Sequence, residues 1–330
     1  MTNRSHLSRV LACAAVITLS ATLSACGASP SNQFTAEPVA LPGPPGAEPL
    51  PPPEGEPKDL PGVDVSKLVR REKMTWWKLV SQLYAPCTDQ AVSIAQCVEE
   101  ARACAACGAA AQFIADKIRG GAAAADVQAA YGVRFGPDVR QVDVTGSPSR
   151  GPEDAPVTVV VWSDYECPAC RVAMPHIDAA FERHSPSVRL VHKFYPLKSH
   201  VHAEPAARAA FAAQMQGKYW DMERLLFENQ RALEEQDLLG YAEQVGLDMR
   251  RFRADMESDE AAKAIARDRE QGDRAGLTGT PHILINGRPF VYSLFSVETD
   301  LERWIGAEAE LGAARPAATV ASPGGSGSAR

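Results

Sequence analysis

The sequence predicts an α/β domain that carries an inserted helical stretch and follows a small helical module. Three observations carry this. Val157-Thr158-Val159-Val160-Val161-Trp162 is an apolar run of buried-strand length that hands over to a helix at Cys167-Pro168-Ala169-Cys170. A second run, residues 188–195, follows that helix as the next strand of a strand–helix–strand unit. After a long helical stretch, residues 282–286 and 289–292 read as a hairpin turning at Asn286-Gly287.

Ahead of the folded parts, Arg4 and Arg9 precede an alanine-rich apolar stretch, residues 10–19, too short to cross a bilayer as a mature helix. Residues 1–25 therefore read as an export signal. Leu23-Ser24-Ala25-Cys26 resembles the lipobox of bacterial lipoproteins, which implies lipidation of Cys26 and cleavage before it. At about 0.8 kcal/mol per buried methylene, several acyl chains hold a protein durably at a membrane. Gly27 stands where an aspartate commonly retains such proteins at the inner membrane, so the expected address is periplasmic and lipid-anchored, with the outer membrane favoured. Residues 26–65 read as a tether: ten prolines between Pro38 and Pro61, with few apolar side chains among them, leave nothing to pack. Extended polyproline geometry gives it a reach on the order of 100 Å. Residues 311–330 read as a disordered Pro-Gly-Ser tail. A net charge of −7 lacks the basic excess that a nucleic-acid partner needs.

Two folded parts remain. Residues 66–137 are expected to form the helical module, with Trp76, Trp77, Leu79, Val80, Leu83 and Tyr84 as its apolar face and a break at Gly120-Gly121. Residues 138–310 form the α/β domain. It opens with a short strand near 139–144, continues through strand 157–162, a helix to about His184 and strand 188–195, and carries the insertion at about 200–276. In the insertion, Phe211, Met215, Tyr219, Met222, Leu225 and Leu226 recur at helical spacing. The hairpin and a last helix, about 297–305, complete it.

A dithiol at the start of a helix is suited to thiol–disulfide exchange. The unpaired amides and the positive dipole end at a helix N-terminus favour a thiolate, lowering its pKa from about 8.5 into roughly the 3.5–7.5 range. Pro168 suits the first helical position, having no N–H to lose. Cys167 is expected to be the exposed nucleophile and Cys170, deeper on the same side, the resolving thiol. A structural bridge is the plain alternative, yet so short a loop gains little by closing. Gly279-Thr280-Pro281 precedes the strand His282-Ile283-Leu284-Ile285 and reads as a cis-proline loop packed against the dithiol, with the Thr280 backbone free to pair with a substrate peptide.

Together, Asp164-Tyr165-Glu166-Cys167-Pro168-Ala169-Cys170, Phe194-Tyr195-Pro196-Leu197, the run from His202 to Ala209 and the run from Gly279 to Gly287 resemble the DsbA-like disulfide oxidoreductase family. The resemblance covers about residues 150–306. It implies a thioredoxin fold with an inserted helical domain, no metal and no organic cofactor, and assigns function to Cys167, Cys170 and Pro281. Its expected partners are the thiols and disulfides of exported proteins and a membrane or periplasmic redox protein that recycles the dithiol. Two departures leave the direction of exchange open. The dipeptide between the cysteines is Pro-Ala, where the strongest oxidants of the family have Pro-His. Glu166 adds a like charge that is expected to raise the Cys167 pKa. Thr280, where the best-studied oxidant has valine, points the same way.

Cys87, Cys97, Cys104 and Cys107 fall in the helical module. Structural disulfides in any of three pairings, a second redox pair at Cys104 and Cys107, and a four-thiolate zinc site all fit the spacing. This region also resembles faintly the thiol-presenting helical hairpin of the cytochrome c maturation protein CcmH, which keeps thiol handoff open. His200 and His202 read as solvent-facing or loop-packing, and residues 267–274 as a solvated helix face. The function expected is a periplasmic thiol–disulfide oxidoreductase. The alternatives are a reductase or isomerase, a thiol-handoff protein in cytochrome maturation, and a non-catalytic binding module with a thioredoxin-like surface.

Overall fold

The computed structural model describes residues 50–313 except 54 and 88. The expected export signal, Cys26 and residues 314–330 lie outside the described residues. Four helices come first: α1 (Arg70–Gln82), α2 (Ile94–Glu99), α3 (Ala106–Arg119) and α4 (Ala124–Phe135). α1 buries Trp76, Trp77, Leu79 and Val80, and the Trp76 indole N–H donates to the Ala111 carbonyl of α3 at 3.1 Å. The expected tether runs too far. Leu60 and Val65 are buried in the same core, and the backbone of Asp64 donates to Gln112 and accepts from Arg119. Apolar side chains spaced among the last prolines suffice to dock this segment on α3.

The four module cysteines form two disulfides, Cys87–Cys104 and Cys97–Cys107. The sulfurs of Cys97, Cys104 and Cys107 lie within 4.8 Å of one another in a small buried cluster. Cys104 and Cys107, expected as a possible second redox pair, are each bonded to a different cysteine. With all four sulfurs in disulfides there is no thiolate left to hold zinc.

The second part is built on a five-stranded sheet of order β1-β3-β2-β4-β5. β1 (Ser149–Arg150) pairs antiparallel with β3 (Val188–Phe194), which runs parallel to the central β2 (Val157–Ser163). The β2–β3 crossover is helix α5 (Pro168–His184). Val157, Val159 and Val161 of β2 join the main core, whereas Val160 and Trp162 join a second cluster with Val191, Leu277 and Leu284 on the other face. This two-faced burial is why the strand reads as a continuous apolar run.

The strand expected near 139–144 is not formed. Val142 and Val144 pack against the second cluster, and the Arg140 N–H donates to the Gly287 carbonyl at 2.8 Å. The segment lies over the sheet's second face, a placement that shows the same alternation of apolar residues as an edge strand. The inserted stretch is five helices: α6 (Ala203–Gln214), α7 (Tyr219–Glu228), α8 (Glu235–Val245), α9 (Met249–Glu257) and α10 (Asp259–Arg274). Gly246, at φ 80°, ends α8, and the side chains of Asp248 and Ser258 accept the amides of Arg251 and Ala261 to cap α9 and α10. One face of α10 is not solvated as expected. Asp268 is wholly buried, accepting from Lys193 Nζ at 3.1 Å and from the Phe194 N–H at 3.1 Å.

β4 (His282–Ile285) lies antiparallel to β2 and turns through Asn286 and Gly287 into β5 (Arg288–Pro289). Both turn residues have positive φ, 48° and 78°, as the two-residue hairpin predicts. The last helix, α11 (Asp300–Ala313), begins later and runs further than expected. Residues 297–299 form a turn, and the Asp300 side chain accepts the Ser296 N–H at 2.8 Å. Lys117 of α3 reaches across to this segment, donating to Leu294 O and Asp300 Oδ2, each at 2.8 Å. Among the described residues no helix is long and apolar enough to cross a membrane.

Candidate active site

Cys167 is the N-cap of α5 and Pro168 its first residue, so the strand-to-helix handover places the first sulfur where α5's free amides begin. Both cysteines are free thiols. As a thiol, Cys167 donates to the Thr280 carbonyl at 3.3 Å, which brings the two motifs together across 113 residues. The Thr280–Pro281 peptide bond is cis. Beside the dithiol lies a cleft of about 450 Å³ lined by Ala169, Thr280, Pro281, His282, Phe290 and Tyr292 among others. Cys167 is recessed rather than exposed as expected, with 7% of its surface accessible. Its sulfur sits against the Thr280 carbonyl, and Thr280 and Ala169 line the cleft.

The electrostatics separate the two sulfurs. The Cys167 pKa falls to about 5. The Cys170 thiol hydrogen bond is the largest cause, burial opposes it, and the Thr280 side chain and the amides of Cys170 and Ala169 add to the fall. Burial pushes Cys170 well above the ordinary thiol value, and the neighbouring Cys167 adds to it. The expectation that Glu166 raises the Cys167 pKa is outweighed. The Glu166 carboxylate turns aside to accept the His202 N–H at 2.7 Å. The Thr280 hydroxyl oxygen is buried without a hydrogen-bond partner and lies near enough to favour a thiolate at both sulfurs.

Several residues that hold this geometry carry no local sequence signal. The buried Asp164 accepts from Glu166 N at 2.7 Å, Leu197 N at 2.8 Å and His200 Nδ1 at 2.8 Å, and its own N–H faces Cys170 Sγ at 3.5 Å. His200 thus packs on the dithiol loop, as one of its expected readings had it, while His202 meets the loop through its backbone. Gln230 Nε2 donates to the carbonyls of Tyr165 and Cys167. Behind the loop, Tyr165 shares a 2.9 Å hydroxyl–hydroxyl hydrogen bond with Tyr219 and stacks on the buried His192. Cys87, Cys97, Cys104 and Cys107 take no part in the site's hydrogen bonds.

Residues 143–305 match a family model described as thioredoxin. Residues 143–305 therefore carry a thioredoxin-like domain. It is similar to the Na(+)/H(+) antiporter NhaA 3 of Salinispora tropica, 43% identical over 140 residues that make up 42% of this chain and 21% of that protein. NhaA 1 of Salinispora arenicola is 42% identical over the same shares. The chain spans about a fifth of the length of these curated relatives. Among solved structures, a thioredoxin-like oxidoreductase from Silicibacter pomeroyi is 31% identical, covering 50% of this chain and 94% of that one, with a TM-score of 0.46. BdbD from Bacillus subtilis is 22% identical, covering 52% and 97%, also with a TM-score of 0.46.

Proposed function

We propose that this DsbA-like chain exchanges disulfides with exported protein substrates, with Cys167 as the attacking and attacked sulfur and Cys170 as the resolving one. The observation that carries this is the Cys167 sulfur at the start of α5, its pKa lowered to about 5, against the Thr280 carbonyl and beside an open cleft. A thiolate at neutral pH is both a ready nucleophile and a good leaving group.

In the oxidising direction, a substrate thiolate attacks Cys167 Sγ of the Cys167–Cys170 disulfide. That bond breaks, its electron pair goes to Cys170, and a mixed disulfide with Cys167 forms. A second substrate thiolate attacks the substrate sulfur of the mixed disulfide and expels Cys167 as a thiolate. The substrate gains one disulfide and the enzyme two electrons. The high pKa of Cys170 means that it takes up a proton when released. In reverse, the Cys167 thiolate opens a substrate disulfide and Cys170 resolves the adduct. A periplasmic setting, a lipid anchor at Cys26 and a redox partner for recycling complete the reading. Thr280 and Pro281 line the wall against which a substrate backbone would pair.

Cys170→Ala should trap mixed disulfides through Cys167, and their absence under both oxidising and reducing conditions would sink the mechanism. Titration against redox buffers sets the direction. A potential near roughly −120 mV marks an oxidase, near roughly −180 mV an isomerase and near roughly −270 mV a reductase.

A further inference from the structure

The side chain of Gln230 spends both hydrogens of its amide on the backbone that leads into the dithiol helix. Gln230 is half-buried in the turn after α7, on the helical insertion. Its Nε2 donates to Tyr165 O and to Cys167 O, each at 2.8 Å, across 65 and 63 residues. A primary amide nitrogen has two donors, so both are used here.

We propose that Gln230 is a positioning residue for Cys167, and that through it the helical insertion sets the reactivity of the dithiol. The inference rests on the reading of Cys167 as the nucleophile. The Cys167 carbonyl is the first acceptor of α5, yet the helical bond it receives, from Arg171 N, is long at 3.3 Å. Pro168 brings no N–H of its own. The shorter bond from Gln230 therefore fixes the peptide plane between Cys167 and Pro168. Cys167 has extended backbone, φ −76° and ψ 119°, while the residues after it are helical. Rotation about this junction swings Sγ relative to the amides of Ala169 and Cys170. On the other flank, Asp164 holds Glu166 N and Leu197 N. The loop is thus clamped from the sheet side by Asp164 and from the insertion by Gln230. The charged groups around it, Glu166, Arg171, Arg231 and Glu234, line the adjoining pocket, and among described residues none of them is bonded to Gln230.

The chemistry dictates a graded series. Gln230→Ala removes both donors. Gln230→Glu keeps the volume but sets an acceptor-only carboxylate against two carbonyls. Gln230→Lys restores donors. The test measures the first thiol ionisation of the reduced, full-length protein by ultraviolet thiolate absorbance, together with the rate of iodoacetamide alkylation and the thermal midpoint. Gln230→Ala should raise the Cys167 pKa by about half a unit to one unit, Gln230→Glu should raise it further, and Gln230→Lys should return it to or below the wild-type value. Below its pKa, a one-unit rise leaves about tenfold less thiolate and a correspondingly slower alkylation. A clamp that serves stability alone would lower the thermal midpoint and leave the ionisation unmoved, and that result overturns the inference. Gln230→Glu keeps the comparison decisive if the alanine variant fails to fold. An ordinary thiol pKa in the wild-type protein would instead overturn the assignment of Cys167 itself, a distinct failure.

Discussion

The Asp164 carboxylate bonds His200 Nδ1 at 2.8 Å through the same oxygen that accepts the Leu197 N–H. One buried acid therefore joins the dithiol loop, the segment after β3 and an imidazole at the rim of the site. Burial works against a charge on His200, but the hydrogen bond and charge of Asp164, with Glu166 and Cys167 beyond, raise its pKa above 6.5.

That raised pKa has two consequences. A His200 imidazolium favours the Cys167 thiolate, so His200→Ala should raise the Cys167 pKa by a few tenths of a unit, on the order expected for a partly solvated charge. For stability, the folded pKa lies above the unfolded one. The contribution is then fully present below about pH 6.5 and is lost as the pH rises through the folded value. Its size is below about 1 kcal/mol because His200 is partly exposed. Urea midpoints of wild type and His200→Ala across this range should converge at alkaline pH. Parallel profiles would rule the linkage out.

The Thr280 hydroxyl is buried, has no hydrogen-bond partner and lies near both sulfurs. Thr280→Val keeps the shape and removes the donor. The Cys167 pKa should rise by about half a unit to one unit, and the dithiol should become correspondingly more reducing. Redox titration beside thiolate absorbance checks both. An unchanged pKa would mean that the hydroxyl does not reach the sulfur.

The parts of this site that were legible in the sequence are those with local causes. Cys167-Pro168-Ala169-Cys170 after an apolar run, proline at the first helical position and Asn-Gly at a hairpin each state their geometry within a few residues. Thr280-Pro281 is joined to the dithiol only by the strand–dithiol–helix pattern upstream and the resemblance that goes with it, since nothing local says that residue 280 meets residue 167. Asp164 and His200 read only as parts of a motif and a loop, and Gln230 falls unmarked inside the helical insertion, because their roles depend on carbonyls and amides that folding brings together. The segment 139–144 misled for a different reason. Alternating apolar residues pack equally well along an edge or across a face, and the pattern does not record which. The cysteine pairing was open in principle, as four cysteines allow three connectivities.

The disulfides of the module brace more than the module. Cys107 lies in the first turn of α3, and further along the same helix Phe113 packs on Phe295 at 6.2 Å while Lys117 holds Leu294 and Asp300. Leu294 and Phe295 lie two and three residues after Tyr292, which lines the dithiol cleft. Replacing Cys97 and Cys107 with alanine should cost about 2–4 kcal/mol of stability and lower the midpoint of urea unfolding. Limited proteolysis should then cut first in residues 83–105. A variant as stable as wild type would show that packing alone holds α2 on α3.

Glu223, on α7, is 4% exposed, and its Oε1 has no hydrogen-bond partner. Burial, with Asp178 adding and Arg150 opposing, pushes its pKa from 4.5 up to about 8. It is therefore protonated in the native protein at neutral pH. A carboxyl whose folded pKa exceeds its unfolded one binds its proton more tightly when folded. Its contribution is complete below about pH 4.5 and falls as the pH rises toward 8, by about 1.4 kcal/mol per unit. His192, held down to about 3 by burial and by Lys193, acts in the opposite sense. Its contribution is complete above about pH 6.5 and is lost as the pH falls toward 3. The two slopes oppose each other between pH 4.5 and 6.5, and of these two groups only Glu223 still titrates above that window. Glu223→Gln keeps a neutral polar group of similar shape and removes the titration. The variant should match wild type near pH 4 and exceed it by a few kcal/mol at pH 8, read from urea midpoints. If the two proteins lose stability equally between pH 6.5 and 8, Glu223 is not the group that titrates there.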